Sequence, residues 1–109
     1  PYYGVFVENI NFETYADGTE ADSKNYISKV DGTIENSMLK YDVEYRTDIA
    51  NAKFYVAVYD DRGNVVAISD KNRDNINIKN ESKSYTIKAV LWNRNLKPLC
   101  NVESKTVER

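Results

Sequence analysis

Few side chains in this sequence could carry out catalysis. The 109 residues include no histidine and a single cysteine, Cys100. Without histidine, the chain lacks the commonest activator of a serine or cysteine nucleophile and a common metal ligand. We therefore expect Cys100 to be a small buried residue rather than a reactive thiol. An intrachain disulfide is excluded because it requires a second cysteine.

Pairs of carboxylates are the remaining candidates for acid–base catalysis. Asp60 and Asp61 adjoin a turn, while Asp42 and Glu44 are two residues apart and share one face of a predicted strand. Both pairs also fit ordinary roles in turn geometry and solubility, and we favour those roles. The sequence therefore predicts that the protein is not an enzyme.

Acidic residues also cluster in two segments that could attract calcium. Asp17, Glu20 and Asp22 form one group, and Asp70 and Asp74 form the other. Neither group has the regular alternation of oxygen ligands that a dedicated calcium loop needs. We favour solvated loops at both places, and we predict no metal and no other cofactor.

Composition restricts the classes of partner. A net charge of −2 and a pI near 5.2 argue against nucleic acid, which requires a basic face. No apolar run is long enough for a membrane span, so membrane insertion is not expected. The length predicts one domain. The chain starts at Pro1 without a methionine or a signal peptide, which suggests a fragment of a longer protein.

Alternation of apolar and polar residues predicts strands throughout the chain, and no segment has a helical period. The predicted strands cover residues 2–15 (one strand or two short ones), 25–30, 38–46, 53–60, 64–69, 75–79 and 83–92, followed by one that starts at Pro98. Turn signals occur at Asp17-Gly18, Asp31-Gly32 and Gly63. The pattern indicates an all-β, antiparallel Greek-key sandwich of about seven strands. We expect a core sandwich over residues 33–109, with a hairpin extension over residues 1–32.

The predicted strand over residues 83–92 is central to the sandwich. Its inward face carries Tyr85, Ile87, Ala89 and Leu91. The opposite face ends in Val90 and Trp92, so this end of the strand should be covered on both sides.

If the strand containing Tyr55 is its neighbour, one outward aromatic cluster forms. Its members are Tyr55, Tyr59, Val90 and Trp92, our candidate contacts for a partner or a glycan. The cluster could stack on sugar rings or dock a protein. Alternatively, the N-terminal hairpin could cover it through Tyr2, Tyr3 or Phe6, or a neighbouring domain could do so. We favour cover by protein.

Two stretches resemble immunoglobulin- or fibronectin-III-like domains of secreted and surface proteins of Gram-positive, clostridial-type bacteria. Ile-Lys-Ala-Val-Leu-Trp-Asn followed by Leu-Lys-Pro-Leu-Cys is similar to a family pattern of Lys-Ala-Phe-Leu-Trp-Asp, a spacer and Lys-Pro-Leu. It departs at Val90 and Asn93. Val-Tyr-Asp-Asp-Arg-Gly, which ends at Gly63, also resembles these domains. The resemblance extends from Leu39 onward, and residues 1–32 have no counterpart in it.

This resemblance implies an immunoglobulin-like sandwich that acts as a non-catalytic accessory module outside the cell or at its surface. Its role would be spacing, anchoring or protein–protein contact. The implied partners are neighbouring domains of the parent protein or another surface protein. An alternative is a carbohydrate-binding module whose exposed aromatic residues contact cell-wall or plant polysaccharide.

Overall fold

The computed structural model describes residues 24–79 and 82–109. Within them the regular structure consists of seven β-strands in two antiparallel sheets that pack face to face. The strands are β1 (Tyr26–Glu35), β2 (Met38–Arg46), β3 (Lys53–Tyr59), β4 (Val65–Ser69), β5 (Arg73–Asn77), β6 (Ser84–Trp92) and β7 (Glu103–Glu108). The prediction of an all-β sandwich of about seven strands is confirmed.

The strand order follows from where the chain changes sheet. The first sheet has the order β1-β2-β5, and the second has the order β4-β3-β6-β7. The chain crosses between sheets after β2, after β4 and after β5. Strands that are neighbours in a sheet are therefore often distant in the sequence, as in the predicted Greek-key arrangement.

The main core lies between the two sheets and consists of alternating residues from their facing surfaces. β2, β3 and β6 supply most of it, through Leu39, Tyr41, Val43, Phe54, Val56, Val58, Tyr85, Ile87, Ala89 and Leu91. Fully burying one large apolar side chain contributes roughly 1.5–3 kcal/mol to stability. The predicted inward face of the strand over residues 83–92 is confirmed.

The prediction of a turn at Asp31-Gly32 is wrong, because both residues lie within β1. The turn comes later, at Asn36, which has a φ of 57°. Gly32 instead allows a close approach between strands. A Cβ atom there would lie 2.5 Å from Ile87 Cδ1 and 3.1 Å from Val107 Cγ2. The glycine is needed for packing between the sheets rather than for chain reversal.

The expected boundary between the N-terminal hairpin extension and the core sandwich, between residues 32 and 33, falls inside β1. Residues 26–32 therefore belong to the first sheet. The predicted N-terminal hairpin otherwise lies outside the described residues. The last strand also starts later than expected. Pro98 forms only an isolated bridge with Trp92, and β7 begins at Glu103. Proline lacks the backbone N–H that a continuing ladder requires.

Asn25 and Arg109 lie at opposite ends of the sandwich. Asn25 Oδ1 accepts a hydrogen bond from Thr47 Oγ1 (2.7 Å), just after the end of β2. The following loop leads to Lys53, which pairs with Trp92 at the same end. Arg109 donates its backbone N–H to Lys83 O (2.9 Å), at the start of β6. The length of β6 places the two ends about 27 Å apart.

Candidate functional site: the outer face of the second sheet

The predicted aromatic cluster forms on the face of the second sheet that points away from the main core. β3 and β6 are neighbours, and Tyr55 pairs directly with Val90. The Tyr55 and Trp92 rings are 5.6 Å apart between centroids and tilted by 52°. Ala57, Ile68, Val90 and Trp92 form a second buried cluster, against which Tyr55, Tyr59, Val65 and Val102 pack. The structure therefore brings the four predicted residues together.

This cluster is buried rather than presented to solvent. Val90 is 1% exposed and Trp92 is 3% exposed, while Tyr55 and Tyr59 are half-buried. Tyr55, Lys88 and Trp92 each also take part in a further contact. In this arrangement neither Val90 nor Trp92 offers a surface on which a sugar ring could stack. Their contact with a partner or a glycan stays a prediction, and the proposed cover by Tyr2, Tyr3 or Phe6 lies outside the described residues.

Lys88 lies at the polar edge of the cluster. Its ammonium Nζ is 5.0 Å from the centroid of the Tyr59 ring, a distance suited to a cation–π interaction. Burial lowers the pKa of Lys88 and raises the pKa of Tyr59, because it disfavours the charged form of each group. Both groups are therefore less accessible to water than side chains on an exposed sheet face.

The first candidate carboxylate, Asp60, organises the turn between β3 and β4. Its Oδ1 accepts hydrogen bonds from the backbone N–H of Arg62 and of Asn64, both at 2.9 Å. The bond from Asn64 is the main cause of a lowered pKa for Asp60, because hydrogen bonds to the charged form favour it. The expected left-handed residue is also present, since Gly63 has a φ of 83°. Asp60 thus has the turn role that the sequence favoured.

Two of the other candidate carboxylates, Asp42 and Asp61, also have structural partners. Asp42 Oδ1 accepts a hydrogen bond from Arg73 Nε at 2.9 Å and links β2 to β5. Asp61 Oδ1 accepts a longer bond from Ser82 Oγ at 3.3 Å. Glu44 is exposed on the same strand as Asp42. These contacts hold strands and turns together.

The described residues contain no group of three or more acidic, cysteine or histidine side chains that could hold a metal ion. Asp74 Oδ1 accepts a hydrogen bond from the backbone N–H of Asn75 at 2.8 Å. The other calcium candidates, Asp17, Glu20 and Asp22, lie outside the described residues.

Cys100 is half-buried in the loop that precedes β7. Burial raises its pKa to about 11, with a smaller contribution from Glu103, and a hydrogen bond with the Ile27 backbone opposes the shift. A thiol with such a pKa stays protonated near neutral pH, and the protonated form is a poor nucleophile.

Sequence reasoning missed an open groove beside this face, between the end of β4 and the start of β5. Tyr45, Tyr55 and Asp70 are among its lining residues. Tyr45 was expected to point into the core together with Leu39, Tyr41 and Val43, but it is 38% exposed. Alternation along β2 correctly predicts that Tyr45 lies on the same side of the sheet as Leu39, Tyr41 and Val43. It cannot show that the second sheet fails to cover this end of β2, which leaves Tyr45 partly exposed.

Across residues 24–79 and 82–109, no helix is long and apolar enough to cross a membrane. No protein-family model matches the chain, and no curated protein or solved structure shows significant similarity to it.

Proposed function

We propose that this domain is a non-catalytic accessory module of a larger extracellular bacterial protein, where it serves spacing, anchoring or protein–protein contact. The observation that carries the proposal is the strand order, which is close to that of immunoglobulin-like domains. Asn25 and Arg109 lie at opposite ends of the strands. Between these two residues the described sandwich spans the full length of its strands, which suits a spacer.

The strand order supports the resemblance to immunoglobulin-like domains. When the seven strands are lettered A to G, A, B and E form the first sheet, and C, F and G lie in the second. The constant type of immunoglobulin domain has the same two sets, with its D strand beside E. Here the fourth strand pairs with the third instead. The shared order favours a member of this broad group of surface modules.

The contacts of the acidic residues support a non-catalytic role. Asp60 holds a turn and Asp42 binds Arg73 across two strands. A general acid or base must instead be available to a substrate within hydrogen-bond reach. Asp42, Asp60 and Asp61, three of the four carboxylates that the sequence offered for catalysis, therefore already have structural roles.

A direct test is to join two copies of the chain in tandem and measure their shape by small-angle X-ray scattering. If the module is a spacer, the second copy should extend the maximum dimension by about one strand length, roughly 27 Å or more. A single copy is the control. A tandem protein in which the copies pack side by side, with little gain in length, would contradict the proposal.

A further inference from the structure

An open groove runs along the side of the sandwich on which β4 and β5 are the edge strands. A space of about 510 Å³ lies between these strands. A second space of about 250 Å³ lies beside the ends of β2 and β3. Tyr55 and Asp70 line both spaces, so the two adjoin, and together they are called the groove. Its size falls in the range of pockets that bind small molecules.

The groove exists because β4 ends early. Ser69 is the last residue of β4 and pairs with Val56, so the first residues of β3 have no β4 residue beside them. From Asp70 the chain crosses to the first sheet, where Arg73 pairs with Asp42. The crossing segment is fixed there, because Tyr41 Oη donates a hydrogen bond to Lys71 O at 2.7 Å. The groove is therefore bordered by backbone that is held in place.

Tyr45 provides a flat apolar surface at one end of the groove. Its ring stacks on Phe54 with 4.2 Å between centroids and 4° between the ring planes. Phe54 is 7% exposed, whereas Tyr45 is 38% exposed. One face of the Tyr45 ring is thus fixed against the core, while the residue borders the groove. A ring held in this way loses little conformational entropy when a ligand stacks on it.

The polar groups of the groove balance in charge. Lys53 and Lys71 contribute two positive charges, and Asp70 and Asp74 contribute two negative charges. A groove without net charge gives little advantage to an anion or a cation. It does offer both hydrogen-bond donors and strong acceptors beside an aromatic ring. A neutral molecule with many hydroxyl groups and apolar ring faces fits this combination.

We infer that this groove binds a neutral glycan, with one sugar ring on Tyr45 and neighbouring hydroxyl groups hydrogen-bonded to Asp70 and Lys71. The groove adjoins the buried cluster around Trp92 and shares Tyr55 and Ile68 with it, but the proposed stacking surface is the ring of Tyr45. The inference goes beyond the proposed module role, because a spacer needs no ligand and a glycan-binding domain need not be a spacer. The tandem measurement and glycan titration can therefore fail independently.

The test is to titrate the full chain with neutral oligosaccharides and follow backbone amide signals by NMR. The probes are the hexasaccharides of cellulose, xylan and mannan, with polygalacturonate and chitosan oligomers as charged comparisons. At least one neutral probe should shift the amides of residues 45, 53–55 and 67–74. Shifts confined to other surfaces, binding only of charged polymers, or no shift with any neutral probe up to its solubility limit would overturn the inference.

Substitutions locate the contact. Tyr45→Ala removes the aromatic ring on which the sugar is proposed to stack and should weaken binding about five-fold. Tyr45→Phe keeps the ring and should keep most of the affinity. Loss of the charged acceptor in Asp70→Asn should weaken binding about three-fold. The matched controls are Tyr26→Ala, at a tyrosine that is 37% exposed on β1, and Glu35→Gln. Equal losses in these controls, or unchanged binding in both Tyr45→Ala and Asp70→Asn, would also overturn the inference.

Discussion

Cys100 is the only thiol in the chain, and its local surroundings determine its reactivity. Burial raises its pKa to about 11. Because the folded-state pKa is the higher one, the stabilising contribution of this group is complete below the unfolded pKa. It is lost as the pH rises through about 11. The contribution of the thiol to stability is therefore intact at neutral pH and is lost only in alkali.

The rate at which iodoacetamide alkylates Cys100 should reflect this pKa. At pH 8 the folded protein should react roughly 100-fold more slowly than the unfolded protein, because far less of its thiol is ionised. The rate in the folded state should rise with a midpoint near pH 11. The same titration in denaturant is the control. A folded-state midpoint at the unfolded value would contradict the burial of this residue.

Trp92 reports on the outer cluster because it is the only tryptophan. Since it is 3% exposed, its fluorescence should be blue-shifted and poorly quenched by acrylamide. Unfolding in guanidinium provides the exposed reference. Red, easily quenched emission from the folded protein would show that the aromatic face is open, and would restore the alternative of a glycan-binding surface at Trp92 and Tyr55.

Among the strands, β1 and β6 are coupled through Gly32. A Cβ added at this glycine would lie 2.5 Å from Ile87 Cδ1. We expect Gly32→Ala to reduce the free energy of unfolding by about 1–3 kcal/mol through overpacking. Ile87→Val removes the opposing Cδ1 and should itself reduce this energy by about 1 kcal/mol. The double variant should lose less than the sum of the two, as measured by urea denaturation.

Gly63 is the matched control for this double-mutant cycle of Gly32→Ala and Ile87→Val. It has a φ of 83°, and an added Cβ there would have no atom within 4 Å. Gly63→Ala should therefore reduce stability by about 1 kcal/mol through backbone strain. Its effect should add to that of Ile87→Val without coupling. Equal coupling in both cycles would show that contact with Ile87 is not the reason for glycine at position 32.

The same elements show how far the sequence alone could predict the fold. β2, β3 and β6 carry apolar residues at every second position along one face, so their positions and core faces followed from the pattern. The predicted strand over residues 25–30 is shorter than β1 because Asp-Gly is a common turn signal. The actual reason for Gly32, the close approach of Ile87, arises only once the sheets pack together. Strand pairing led us to expect Tyr55, Tyr59, Val90 and Trp92 together, and the structure places them together, while their contact with a partner or a glycan stays a prediction. The groove at Tyr45 was missed because it depends on where β4 ends.

For the whole molecule, Arg109 joins several strand ends at one end of the sandwich. Its guanidinium donates hydrogen bonds to Ser82 O at 2.6 Å, to Asn36 O at 3.0 Å and to Lys79 O. It also lies 5.8 Å from the centroid of the Tyr85 ring. One side chain therefore connects the ends of β1, β5 and β6.

Arg109→Lys should destabilise the protein by about 1–2 kcal/mol, because an ammonium group cannot reproduce the planar fork of the guanidinium. Hydrogen exchange should become faster near Asn36 and Ser82 and stay unchanged near Asn25, at the opposite end. Arg62→Lys, on the exposed hairpin between β3 and β4, is the matched control. If Arg109→Lys is as stable as this control, the three carbonyl contacts contribute little.

The separation of Asn25 and Arg109 also has a mechanical consequence. β1 and β7 run in the same direction, so a force applied between Asn25 and Arg109 would pull along both strands. Their hydrogen bonds to β2 and β6 lie across that direction, so the bonds of each ladder would be loaded together in shear rather than opened one at a time. The β6–β7 ladder is the shorter, and under rising force β7 should detach before β1.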